Sequence, residues 1–161
     1  MDIREWRPGD LGRLVELHGR YYSAHWDLSP TFEAEVAEEL GVFCRTLRPG
    51  RDGLWVAAET DGIAMGGVAI QGMEDGEARL RWFIVDPACH GRGVGDRLLA
   101  TALDFCRRAG FRRVVLHTFK GLEAAHALYR RHGFVLAAEE PGSPWGPPLM
   151  LQTFVLEVSH D

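Results

Sequence analysis

Three glycines at alternate positions, Gly91, Gly93 and Gly95, form the pattern in this sequence that points most directly to chemistry. Glycine leaves the backbone uncovered, so successive N–H groups in such a run can turn into one concavity. A helix beginning behind them adds unpaired donors and the positive end of its dipole. The combination seats a phosphate or pyrophosphate; without a ligand it is only a glycine-rich strand-to-helix turn. Two nucleotide-binding patterns fail here. A G-x-G-x-x-G fingerprint starting at Gly91 needs glycine where the chain has Asp96, and starting at Gly93 it needs glycine or alanine where the chain has Leu98. A P-loop needs a Gly-Lys-Ser/Thr end, and the only lysine, Lys120, is far from the run.

The elements that must position the glycines are legible on either side. Ala78 to Val85 carries Leu80, Trp82, Phe83, Ile84 and Val85 and reads as a strand stopped by Pro87. Val94, Leu98, Leu99, Ala102, Leu103 and Phe105 recur at helical spacing, so a helix begins inside the glycines and ends at Ala109-Gly110. Arg113 to Phe119 is a β-branched strand, and strand, helix, strand gives a parallel pair by a right-handed crossover.

Upstream, Ile3 to Arg7 is a short strand before Pro8-Gly9, and Asp10 caps a helix faced with Leu11, Leu14, Val15 and Leu17. Ser29-Pro30-Thr31 starts a second helix, faced with Phe32, Val36, Leu40 and Phe43 and carrying Glu33, Glu35, Glu38 and Glu39 as a solvated face. The connection between them, Tyr21 to Asp27, is rich in aromatic residues and is either core filler or a binding wall. Leu54 to Glu59 and Ile63 to Ile70 form a hairpin about Asp61-Gly62, with a bulge expected at Gly66-Gly67. Downstream come a helix over Leu122 to His132, capped by Gly133, then strands Phe134 to Ala138 and Leu149 to Val158 around a Pro- and Gly-rich loop, Pro141 to Pro148, that holds Trp145.

Composition narrows the function classes. The 161 residues, 46% of them hydrophobic, make one domain, 1–161, with a full core. No secretory leader or membrane-length apolar window is present, which predicts a soluble, cytoplasmic protein. Cys44, Cys89 and Cys106 are odd in number and lack C-x-x-C spacing, so they read as free thiols. The histidines, including His18, His25, His126, His132 and His160, show no ligand spacing, and no metal is expected. A net charge of −5 argues against general affinity for nucleic acid.

The stretch His90-Gly91-Arg92-Gly93-Val94-Gly95 after Val85-Asp86-Pro87 resembles the acetyl-CoA loop of the GNAT acetyltransferase superfamily, Gln/Arg-x-x-Gly-x-Gly/Ala after Val-x-Pro, with His90 in the Gln/Arg position. A second segment, Ala125-x-x-Leu128-Tyr129-x-x-x-Gly133-Phe134, is similar to the one that follows the fifth strand in that family, with Leu122 where the family carries asparagine. Leu116 to Gln152, with Trp145-Gly146, further resembles GNAT modules fused to MarR-type regulators. The resemblance implies an α/β GNAT fold of about seven strands and four helices, a mixed twisted sheet with a central splayed parallel pair.

The resemblance also implies a mechanism: transfer of an acetyl group from acetyl-CoA directly to a primary amine on a small molecule or peptide. The backbone of Phe83, Ile84 and Val85 would pair with pantetheine, and His90, Gly91, Arg92, Gly93, Val94, Gly95 and Asp96 would hold the pyrophosphate, with Arg92 and Arg97 as outer phosphate contacts. Tyr129 matches the family's general acid; a phenol with an ordinary pKa of about 10 stays protonated at neutral pH. For the base two residues stand: His117 on the fifth strand, and Glu77 at the start of the fourth. Tyr22, Trp26 and Trp145 would wall the acceptor site. No metal, nucleic acid or membrane is implied, and a homodimer is left open. Two other classes fit the same loop, a CoA-binding sensor without catalysis and an interaction module on the same scaffold.

Overall fold

The structure, a computed structural model, describes residues 1–159, so His160 lies outside the described residues. Seven strands form one sheet: β1 (Asp2–Glu5), β2 (Gly53–Ala58), β3 (Ala64–Gly72), β4 (Glu77–Val85), β5 (Arg113–Phe119), β6 (Val135–Gly142) and β7 (Leu149–Glu157). Their order is β1-β2-β3-β4-β5-β7-β6, and every neighbouring pair is antiparallel except β4 and β5. Helices α1 (Asp10–Trp26) and α2 (Pro30–Arg45) lie on one face, α3 (Val94–Ala109) and α4 (Glu123–Arg131) on the other. Helix α3 is the crossover between the parallel strands, because a parallel neighbour cannot be reached by a tight turn.

Strands β2 and β3 are buried on both faces, which explains why they read as apolar runs, whereas the edge strand β6 is exposed. Val68, Ile70, Ala78 and Leu80 join Leu98, Leu99, Ala102 and Leu103 of α3 in one cluster. Val56, Ala69 and Ile84 meet Leu14 and Leu17 of α1 and Leu40 and Phe43 of α2 in the other.

Several boundaries differ from the expectations. Helix α1 continues through Tyr21 to Trp26 and stops only where Asp27 turns left-handed (φ 57°). The aromatic segment is thus its last turns, since no glycine or proline interrupts it. Asp10 is the first helical residue after Gly9 and not the cap; its carboxylate accepts from the Arg7 N–H at 2.7 Å and pairs with Arg4 at 2.7 Å. Strand β1 ends two residues before Arg7. Strand β6 runs on through Pro141 to Gly142, which an edge strand tolerates because one side needs no N–H donor. Beside the expected position, Ala57 pairs Gly66 and Ala58 pairs Ala64, so Met65 is an extra residue on β3 next to Gly66; a further bulge lies on β4 opposite the glycines, where Gly67 pairs Ile84 and Ala69 pairs Arg81, so Trp82 and Phe83 oppose Val68 alone. Trp82 absorbs the extra residue at φ 49°, a conformation unfavourable for an L side chain, with its ring held against Phe43 (centroids 5.4 Å apart).

Candidate functional site

The β4–β5 ladder has four rungs, from Glu77–Arg113 to Leu80–Leu116, and goes no further. Beyond Leu80 the bulge at Trp82 bends β4, while β5 continues to Phe119 alongside β7. The edge of β4 facing β5 from Arg81 to Val85 is therefore unpaired. A cavity of about 650 Å³ opens there, lined from β4 by Arg79, Arg81 and Phe83, from β5 by His117 and Phe119, and from α4 by Tyr129.

The glycine loop sits at the end of this free edge. Gly91 (φ 80°) and Gly93 (φ 75°) both take left-handed conformations, and a Cβ on either would meet nothing within 4 Å. Backbone geometry, not a neighbouring side chain, is what demands glycine at these two positions. Gly95 serves differently: a Cβ there would come within 2.9 Å of Leu128, so it lets α3 approach α4. Val94, Gly95 and Asp96 form the first turn of α3, where N–H groups have no partner inside the helix. Open space in front of left-handed glycines and unpaired donors fits a pyrophosphate, and the unpaired β4 edge fits a pantetheine strand.

The side chains around the loop are engaged with protein. The ring of His90 turns back to the Val85 carbonyl, with Nε2 at 3.1 Å. Arg92 reaches Glu59 at 3.2 Å. Arg97 donates to the Met1 carbonyl at 2.8 Å. Asp96 meets His132 at 2.8 Å, tying the start of α3 to the residue that ends α4.

Tyr129 is 6% exposed, on the α3–α4 side of the gap, with Phe83 at 5.8 Å and Phe134 and Phe154 behind it. Burial, reinforced by Tyr22, raises its phenol far above the ordinary value, so the hydroxyl keeps its proton. His117 faces the cavity from the other side, its Nδ1 3.2 Å from Thr153 Oγ1. Partial burial and the guanidiniums of Arg79 and Arg81 lower its pKa below the ordinary 6.5, against an opposing pull from Glu77. Glu77 itself does not join the site. It occupies the first rung of the ladder, four residues and about 13 Å of strand from Arg81, and lines a separate depression with Arg48, Arg51 and Gly72.

Tyr22 and Trp145 both line the cavity, joined through Phe32 at 5.0 Å from each. The indole N–H of Trp145 donates to Glu35. Trp26 is set behind this wall, against Phe119 (4.9 Å) and over the α-carbon of Gly121, outside the cavity lining. Three further wall residues carried no motif: Phe32, Gln152 and His18. His18 is a helix-face residue whose Nδ1 lies 2.7 Å from the Leu14 carbonyl, and burial lowers its pKa to about 4. The periodicity of α1, with Leu14 and Leu17 beside it, was the only available signal for His18.

Among the described residues no group of three or more His, Cys, Asp or Glu is placed to hold a metal ion, and no helix is long and apolar enough to cross a membrane. Cys44, Cys89 and Cys106 are unpaired thiols.

A sheet whose central parallel strands part over a glycine loop at a helix start, with Tyr129 and His117 on the walls, defines a cleft that fits an extended, phosphate-bearing ligand. Residues 12–134 match the model of the acetyltransferase (GNAT) family, and the chain belongs to that family. An IAA acetyltransferase of Azospirillum brasilense is 36% identical over 90 residues, covering 55% of this chain and 57% of its own. The chain spans from 32% to 59% of the length of the curated relatives it matches. A GNAT-family acetyltransferase from Staphylococcus aureus Mu50 superposes with a TM-score of 0.80 at 15% identity, covering 98% of this chain and 99% of the other. The yncA protein of Salmonella typhimurium, solved with its cofactor acetyl-CoA, superposes at 0.76 with 21% identity, covering 100% and 95%.

Proposed function

We propose that this chain is an N-acetyltransferase that moves the acetyl group of acetyl-CoA directly to a primary amine. The observation that carries the reading is the end of the β4–β5 ladder at Leu80–Leu116, where a free strand edge, a loop of left-handed glycines and the two cavity walls converge.

When bound, acetyl-CoA supplies an activated acyl group. The chain does the rest. Unpaired backbone along Phe83 to Val85 takes the pantetheine arm as an added strand and polarises the acyl oxygen with an N–H. Backbone donors from Gly91 to Asp96 take the pyrophosphate. His117, neutral at pH 7 because its pKa lies below 6.5, accepts a proton from the incoming amine through Nε2. Tyr129, protonated, returns a proton to the departing thiolate. The amine enters from the α1–α2 side, past Tyr22, Phe32 and Trp145.

Thiol release from acetyl-CoA against a panel of amines tests the reading. Amine-dependent release with one acetylated amine per thiol supports it. Tight acetyl-CoA binding with no release against any amine class returns the chain to the sensor class.

A further inference from the structure

Six charged side chains line the cavity outside the catalytic pair: Glu35, Glu39, Glu139, Glu140, Arg79 and Arg81. Most are spoken for. Glu35 accepts from Trp145, Glu139 accepts from Gln152 at 3.0 Å, and Glu39 pairs with Arg81 at 2.7 Å. Arg81 also donates to Gln71 at 3.1 Å and stacks its guanidinium 4.1 Å over the Trp82 ring. Arg79 is different. Its Nε is buried and has no hydrogen-bond partner among the described residues, and Glu39 attracts it only at longer range. A charged donor buried without an acceptor is costly, and a carboxylate is the group that satisfies a guanidinium through two parallel bonds.

The position of Arg79 narrows the ligand. Arg79 pairs with Val115 in the parallel ladder, and His117 lies two residues further along β5 on the same face, a step of about 7 Å. A single small molecule that carries both an anion and an amine can bridge Arg79 and His117, and an amino acid is such a molecule. The side chain of such a molecule would meet Tyr22, Phe32 and Trp145.

From this juxtaposition we infer that the acceptor is an amine bearing a carboxylate, of the α-amino acid type with an apolar side chain, and that Arg79 anchors its carboxylate. The inference rests on the transferase reading above and names its substrate class.

The experiment compares kcat/KM for L-phenylalanine, 2-phenylethylamine and L-phenylalaninamide in thiol release from acetyl-CoA. The amide is the sharper control, because its amine is less basic and should react better if the carboxylate is ignored. L-phenylalanine should exceed both by at least about 10-fold, expressed mainly in KM. In Arg79→Gln this preference should fall towards one, and Arg79→Lys, which keeps the charge but not the fork, should retain part of it. An unchanged KM for acetyl-CoA shows that the variants are folded. Equal or better use of the amine or the amide by the wild-type protein overturns the anchor while leaving the transferase intact, as does a preference that survives in Arg79→Gln. Failure of acetyl-CoA to bind overturns both.

Discussion

His117 Nδ1 and Thr153 Oγ1 lie 3.2 Å apart at directly paired positions of β5 and β7, and this contact holds the ring at the cavity wall. Because burial and two guanidiniums lower the His117 pKa, the acidic limb of kcat/KM against pH should fall below 6.5. His117→Ala should remove that limb and regain part of the lost rate at high pH, where free amine is more abundant. Glu77→Gln should keep the limb and move it only towards lower pH, since Glu77 sits at the far end of the ladder and its charge acts on His117 as a raising pull. A limb that persists in His117→Ala would assign the proton to another group.

The glycine loop makes a separate prediction. Gly93 stands at φ 75°, so Gly93→Val costs about 1–2 kcal/mol of backbone strain, and the Cβ it adds meets nothing within 4 Å. Calorimetry should show acetyl-CoA binding lost while the circular dichroism spectrum is kept. Undiminished affinity would remove the phosphate seat from the loop.

How far such detail was readable from the chain depends on what encodes it. The order of elements, the parallel crossover and the loop were legible because Pro87, the alternate glycines and the period of α3 are local signals. The bulge at Trp82 was not, because the extra residue is set by the pairing of β4 with β3 and no glycine marks it. Tyr22 and Trp145 were both visible as aromatics, yet what joins them is Phe32, which the pattern of α2 presented only as a core position. In the sequence Trp26 groups with them because the aromatic run reads as a loop; as the last turn of α1 it packs against Phe119 and Gly121 instead. Arg79 carried no motif at all, since a buried donor without a partner exists only in three dimensions.

His18 predicts a pH dependence of stability. Its pKa is about 4 in the folded chain against 6.5 unfolded, so the unfolded chain binds more protons between these values and stability falls as pH drops through that window. The loss amounts to about 3 kcal/mol from pH 6.5 to pH 4 for this one group. Denaturant melts at stepped pH should show that decline flattened in His18→Gln. The same slope in the variant would place the titrating group elsewhere.

The most direct measurement of the central claim is a single-turnover comparison of wild type with Tyr129→Phe, following thiol release with a saturating amine. The substitution removes one hydroxyl and keeps the ring that packs against Phe83, Phe134 and Phe154. The account predicts unchanged acetyl-CoA affinity and a transfer step slowed by about 10²-fold or more. A Tyr129→Phe protein that transfers acetyl at the wild-type rate would contradict it.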